Sequence, residues 1–138
     1  MSAIVPNLEQ FQQLAASPDT GPVVMLNLLK FKVRADGEEE SGAEAYSRYG
    51  DAVVKMVEAQ GGRVLWTGRA DQTLIGDPAE DWDVVALVQY PSRKAFIDMV
   101  TTQEYQEAHV HRERGLLRTI VIACTPMVDR LTARKEPH

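Results

Sequence analysis

The stretch that most limits how this chain can fold runs from Val23 to Phe31, Val-Val-Met-Leu-Asn-Leu-Leu-Lys-Phe. It has the length of a β-strand, with Gly21-Pro22 before it and Lys32, Arg34 and Asp36-Gly37 after it. A strand with one wet face alternates apolar and polar residues. Here Val23, Met25, Leu29 and Phe31 occupy one side, and Val24, Leu26 and Leu28 the other. The pattern predicts a central strand buried on both faces. Its polar midpoint, Asn27, is an amide whose donors and acceptor all need partners. It is either a core amide bonded to backbone or a polar anchor in a pocket.

Helices and strands alternate around that strand. Asn7 with Gln10 makes a capping box, and Leu8, Phe11 and Leu14 give the helix over 7–16 its apolar stripe. Ser17-Pro18-Asp19-Thr20-Gly21-Pro22 breaks that helix. Residues 36–40, with Glu38, Glu39 and Glu40 in a row, read as a solvated acidic loop. Ser41 with Glu44 is a second capping box. From there Tyr46, Tyr49, Val53, Met56 and Val57 keep helical spacing as far as Gly61-Gly62.

Arg63 to Ile75 reads as a long second strand, with Gly68 a bulge or a point of close backbone approach, and Trp82 to Tyr90 as a third. Ser92 caps a helix carrying Ala95, Phe96, Met99 and Val100. Thr101 with Glu104 predicts another capped helix, from Thr102 to about Arg114, stopped by Gly115. Leu116 to Cys124 is the last strand, and a polar tail occupies 126–138.

The order, one helix and then strand-helix-strand-strand-helix-strand, predicts an α+β, ferredoxin-like split βαβ (βαββαβ) sheet with an extra N-terminal helix. Right-handed crossovers place both main helices on one face of that sheet. The second apolar face of the first strand then needs cover, and the N-terminal helix is short for the task. A second copy packed sheet to sheet supplies it, so a homodimer is expected.

With 138 residues the chain is expected to form one domain, its core about 22–125. The net charge of −5 disfavours nucleic acid as a partner. No apolar run is long enough to cross a membrane. The N-terminus lacks a signal core and the single cysteine, Cys124, cannot form an internal disulfide, so cytoplasm is the expected compartment.

The chemistry-bearing pattern lies on the last predicted helix. Tyr105, His109 and Arg112 stand at i, i+4 and i+7 and project from one face, beside Ala108. Arg suits bidentate binding of an anionic oxygen, and His titrates near neutral pH. The same face also has to pack on the sheet, so a rolled helix with His109 and Arg112 snorkelling at its edge is the alternative. His109 and His111 diverge on a helix and cannot chelate together, and no zinc-type spacing occurs elsewhere; neither metal nor cofactor is expected. Trp66 and Arg63 are predicted on opposite faces of their strand, with Trp66 in core, interface or ligand stacking. Tyr46 and Tyr49 either pack or put hydroxyls at a pocket mouth. Asp83 reads as a strand-end carboxylate near solvent. No nucleophile elbow or phosphate loop is present.

Gly61-Gly62, Val64-Leu65-Trp66-Thr67-Gly68, Leu74-Ile75-Gly76, Trp82-Asp83-Val84-Val85, Tyr90-Pro91-Ser92, Phe96, Glu104-Tyr105-Gln106 and Arg112 together resemble a known family. It is the domain of unknown function 1330 family, in the dimeric α+β barrel superfamily. The resemblance covers roughly residues 23–124; the N-terminal helix and the acidic loop depart from the usual pattern. It implies a ferredoxin-like subunit whose sheet pairs with a second one to form a barrel. The wider superfamily includes cofactor-free monooxygenases, decarboxylases, haem-degrading enzymes and proteins with no known reaction. Two functions are expected to compete. One is a metal-free, nucleotide-free enzyme on an organic acid or an enolisable or aromatic metabolite, with Arg112 holding the anion, His109 moving a proton, and Asn27 and Tyr105 orienting the substrate. The other is a non-catalytic dimeric ligand-binding or stress-associated module with the same pocket.

Overall fold

The structure, a computed structural model, describes residues 5–36 and 40–131. Glu38 and Glu39 of the acidic run, and the part of the polar tail beyond residue 131, lie outside the described residues. The elements in chain order are α1 (Leu8–Ala16), β1 (Val23–Phe31), α2 (Gly42–Ala59), β2 (Arg63–Arg69), β3 (Val84–Tyr90), α3 (Arg93–Val100), α4 (Gln103–Gly115) and β4 (Leu116–Cys124). The four strands form one antiparallel sheet in the order β2-β3-β1-β4. This is the ferredoxin-like α+β arrangement expected from the sequence, with α1 added at the front.

Local signals explain most of the boundaries. Asn7 and Ser41 each cap their helix reciprocally with Gln10 and Glu44, satisfying backbone N–H groups that the first turn leaves open. The end of α2 is a Schellman turn. Gly61 has φ +84°, its N–H donates to the Glu58 carbonyl at 3.0 Å, and the Gly62 N–H donates to the Val57 carbonyl at 2.9 Å.

Three expectations need correction. The second strand stops at Arg69, well short of Ile75. The Ala70 N–H still reaches the Asp83 carbonyl at 2.9 Å, and beyond that Leu74 and Ile75 lie exposed in a turn. The cap of α4 is Thr102, whose hydroxyl accepts from the Tyr105 N–H, while Thr101 is the C-cap of α3. Finally, β2 bulges between Val64 and Trp66, not at Gly68. The inserted residue shifts the alternation by one, so Arg63, opposite Gln89, and Trp66, opposite Leu87, share a face. Gly68 is instead a place of close approach: the indole of Trp66 lies where a Cβ would stand.

Cross-strand partners share a face, so the register divides the sheet into two surfaces. Val23, Met25, Leu29 and Tyr90 are buried toward the helices and form the core with Val53, Val57, Met99, Tyr105 and Ala108. Val24, Leu26, Leu28, Leu87, Ile120, Ile122 and Trp66 point the other way. No helix lies over that second face among the described residues, and Trp66 and Ile122 each remain 49% exposed. One end of it is edged by ions: Asp81 bridges Lys30 and Arg118, each at 2.8 Å, and Arg118 lies over the Trp82 ring. α1 packs beside α3 on the helix side and so does not cover it.

Candidate functional site

α4 carries the site because its capped start fixes the rotation of the helix. With Thr102 as N-cap, Tyr105, Ala108 and Arg112 are turned inward and buried, and His109 stands beside them half-buried. Arg112 is the only buried charged residue among the described ones, at 8% exposure. A guanidinium taken this far from water has to be compensated by π-faces, dipoles or anions. One such face is supplied by the Tyr49 ring, whose centroid lies 6.0 Å from the guanidinium carbon.

The tyrosines form a ladder behind this helix face. Tilted or edge-on rings follow one another at centroid spacings of 5.4 Å (Phe31–Tyr46), 5.2 Å (Tyr46–Tyr49), 5.9 Å (Tyr49–Tyr105) and 5.8 Å (Tyr105–His109). The Tyr49 and Tyr105 hydroxyls are 2.7 Å apart, so one donates to the other. Burial pushes the Tyr46 phenol up to about 12, with Arg112 pulling the other way. It lifts Tyr49 and Tyr105 as well, so these phenols are neutral donors at physiological pH.

His109 is shifted in the opposite sense. Burial and then the Arg112 guanidinium lower it from 6.5, with Glu113 opposing them. Glu113 Oε1 lies 3.5 Å from Nδ1. A proton on Nδ1 faces that carboxylate, which leaves Nε2 as the basic nitrogen of a neutral ring. His111 diverges from His109, as helical spacing requires, and stands in a recess of about 580 Å³ between α2 and α4. Among the described residues no group of three or more His, Cys, Asp or Glu could hold a metal ion.

A cavity of about 960 Å³ opens between α1, α3, α4 and the β1–β4 half of the sheet. Tyr105, His109 and Arg112 all line it. The opposite wall comes from Leu8, Phe11 and Leu14 of α1 with Phe96 and Val100 of α3, and the floor from Met25, Thr119 and Val121. The remaining candidates lie elsewhere. The Asn27 Nδ2 donates to the Met25 carbonyl at 3.0 Å and to the Ala86 carbonyl at 3.5 Å, outside the cavity lining. Tyr49 stands one layer behind Tyr105, not at the mouth. Trp66 is on the far face of the sheet. Asp83 accepts from the Phe31 N–H at 2.9 Å and fixes the end of β1. Glu40, the described part of the acidic run, is ion-paired with Arg48 and Arg114 at 2.9 and 2.8 Å.

Sequence reasoning passed over Thr119, Phe96, Val100 and the α1 stripe as parts of a pocket wall. It also missed Glu113 as the partner of His109, although their i, i+4 spacing carried the signal.

Fold and cavity together define a ferredoxin-like α+β subunit with a ligand-sized pocket on its helix side. The Domain of unknown function (DUF1330) family model matches residues 40–125, and the chain belongs to that family. It is similar to the RPA0582 protein of unknown function from Rhodopseudomonas palustris, at 37% identity and a TM-score of 0.87 over 94% of this chain and 100% of that one. Fold likeness extends to SnoaB, a cofactor-independent oxygenase from Streptomyces nogalater, at 14% identity and TM-score 0.50 over 80% and 97% of the two chains. It also extends to a dimeric ferredoxin-like protein of unknown function from Thermobifida fusca, at 12% identity and TM-score 0.50 over 80% and 96%. No functionally curated protein matches the chain.

Proposed function

We propose that this protein is a homodimeric small-molecule-binding α+β barrel that acts, without metal or nucleotide, on an organic acid or an enolisable, aromatic metabolite held in the helix-side cavity. The observation that carries the reading is the convergence of His109, Arg112 and Tyr105 on one wall of a cavity otherwise walled mostly by hydrocarbon. Arg112 offers a planar fork to a carboxylate or enolate oxygen. Neutral His109 takes a proton from an acidic carbon or hydroxyl onto Nε2. The electron pair left behind moves to the ligand oxygen, where Arg112 stabilises the negative charge. Tyr105 orients the ligand; Tyr49 braces α4, which carries the pair, through its hydroxyl contact with Tyr105, and Asn27 ties β1 within the sheet. Trp66 belongs to the seam between two sheets, as in a dimer packed through the apolar face of Leu26, Leu87 and Ile122. The same fold serves a cofactor-independent oxygenase, so chemistry without a cofactor is within its range.

The test uses Arg112→Lys and His109→Ala, each checked by thermal melt. Arg112→Lys is expected to keep the fold and weaken binding of an organic anion by roughly ten- to a hundredfold, the loss of a charge-assisted bond. His109→Ala is expected to bind the ligand and turn it over no longer. If His109→Ala binds as before and the wild type shows no turnover of the retained ligand, the protein is a non-catalytic binding module. If Arg112→Lys binds like the wild type, the site itself is misassigned.

A further inference from the structure

We infer that α1 is the specificity wall of the cavity, and that the ligand is an elongated amphipathic anion with its charged head at Arg112 and its apolar body along α1 and α3. This rests on the anion site proposed above and adds the shape and class of what occupies it.

α1 is a helix built to present an apolar stripe, yet none of its nine residues is buried. Leu8 is 73% exposed while lining the cavity. A helix this short is unstable alone and needs fixing from outside. Its exit is tied to the rest of the fold, while its start carries its own cap. At the start, Asn7 Oδ1 accepts from the Gln10 N–H at 2.8 Å and the Gln10 side chain accepts from the Asn7 N–H at 3.1 Å. At the exit, Asp19 accepts from the Gly21 N–H at 2.9 Å and from the Thr125 hydroxyl at 3.2 Å, and lies 3.8 Å from Arg93. Leu14 of the stripe packs on the core, whereas Leu8 and Phe11 line the void among the described residues.

The cavity is also polarised along its length. α4 runs directly into β4 at Gly115–Leu116, so Arg112 and Thr119 share the junction end, and Thr101 and Ala123 share the far end. With a helical rise of about 1.5 Å per residue, the cavity-lining stretch of α4 from Tyr105 to Arg112 runs roughly 10 Å, and Thr101, the C-cap of α3, lies beyond its start. α1 packs on α3, whose Phe96 and Val100 belong to the far end. A ligand the size of a two- or three-carbon acid would reach Arg112 and leave that hydrocarbon wall wet. A volume of about 960 Å³ is at the upper end for small-molecule sites and accommodates a long apolar body.

Straight-chain carboxylates from butanoate to dodecanoate, titrated calorimetrically below their micelle concentrations, test the proposal on the full chain. Affinity should rise about fourfold per added methylene until the body fills the far end. Leu8→Gln, at an exposed position that the fold does not depend on, and Phe11→Ala should each weaken dodecanoate about tenfold and leave butanoate unchanged. Arg112→Lys should weaken every chain length alike. Affinity independent of chain length, or untouched by Leu8→Gln and Phe11→Ala, overturns the α1 wall; if Arg112→Lys still weakens binding, the anion site stands without it. Binding unaffected by Arg112→Lys, or no binding of any carboxylate, overturns both.

Discussion

At His109 two opposing influences meet. Burial and the neighbouring Arg112 guanidinium disfavour the imidazolium, the Glu113 carboxylate favours it, and the balance lies below 6.5. The unfolded chain therefore binds more protons than the folded one between the depressed value and 6.5. Stability conferred by the neutral ring is complete above about 6.5 and is lost as pH falls through the depressed value. Melts taken from about pH 7.5 down to 5 should show the wild type losing stability faster than His109→Gln. Parallel profiles would contradict the buried, uncharged ring. The grouping of Tyr105, His109 and Arg112 was legible in the sequence because a helix repeats every 3.6 residues and these three match it. The side of Trp66 relative to Arg63 was not legible. Strand alternation fixes a face only while every residue is paired, and Leu65 is the unpaired one. For Asn27 the sequence left a backbone-bonded core amide and a pocket anchor open; one acceptor, the Met25 carbonyl, is local, but the other, that of Ala86, comes within reach only in the folded register.

The elements meet most closely where α2 begins and α4 ends. The Gly42 N–H donates to the Lys32 carbonyl at 3.0 Å, and the Lys32 N–H donates to the Gly115 carbonyl at 2.8 Å. A Cβ on Gly42 would collide with both of those carbonyl oxygens, and one on Gly115 would collide with the Gly42 carbonyl. Backbone therefore rests on backbone, and this contact sets the position of the α4 end that carries Arg112. Gly42→Ala should destabilise the fold by about 1–3 kcal/mol, the usual effect of forced overpacking, despite the better helix propensity of alanine. Equilibrium denaturation measures this; an unchanged midpoint would show that the two helix ends have room to separate. Gly115 was readable as a helix stop, but its contact with Gly42 pairs residues far apart in sequence, and no local pattern encodes it. Caps were more legible than strand ends: Asn7 and Ser41 announce themselves through their partners three residues on, whereas β2 ends because β3 runs out opposite it. Thr101 and Thr102 both offered a hydroxyl at the right place, and the last turn of α3 took the first.

At the scale of the whole molecule, two surfaces of one sheet have been given different tasks. The helix-side surface holds the core and the cavity. The other is apolar, edged by the Lys30–Asp81–Arg118 ions, and open among the described residues. Large contiguous apolar faces are uncommon on monomers, and β1 announced this one in sequence by being apolar on both sides. The cavity was not announced in the same way, because its walls come from α1, α3, α4 and β4 and assemble only when the crossovers close. In the proposed function two such subunits pair through the open face and each holds an organic anion at Arg112. Native mass spectrometry of the purified protein and of Arg112→Lys reads both parts at once. The expected mass is that of two 15.4 kDa chains carrying a small organic anion that Arg112→Lys fails to retain. A monomer at micromolar concentration, or equal retention of the anion by both proteins, would contradict it.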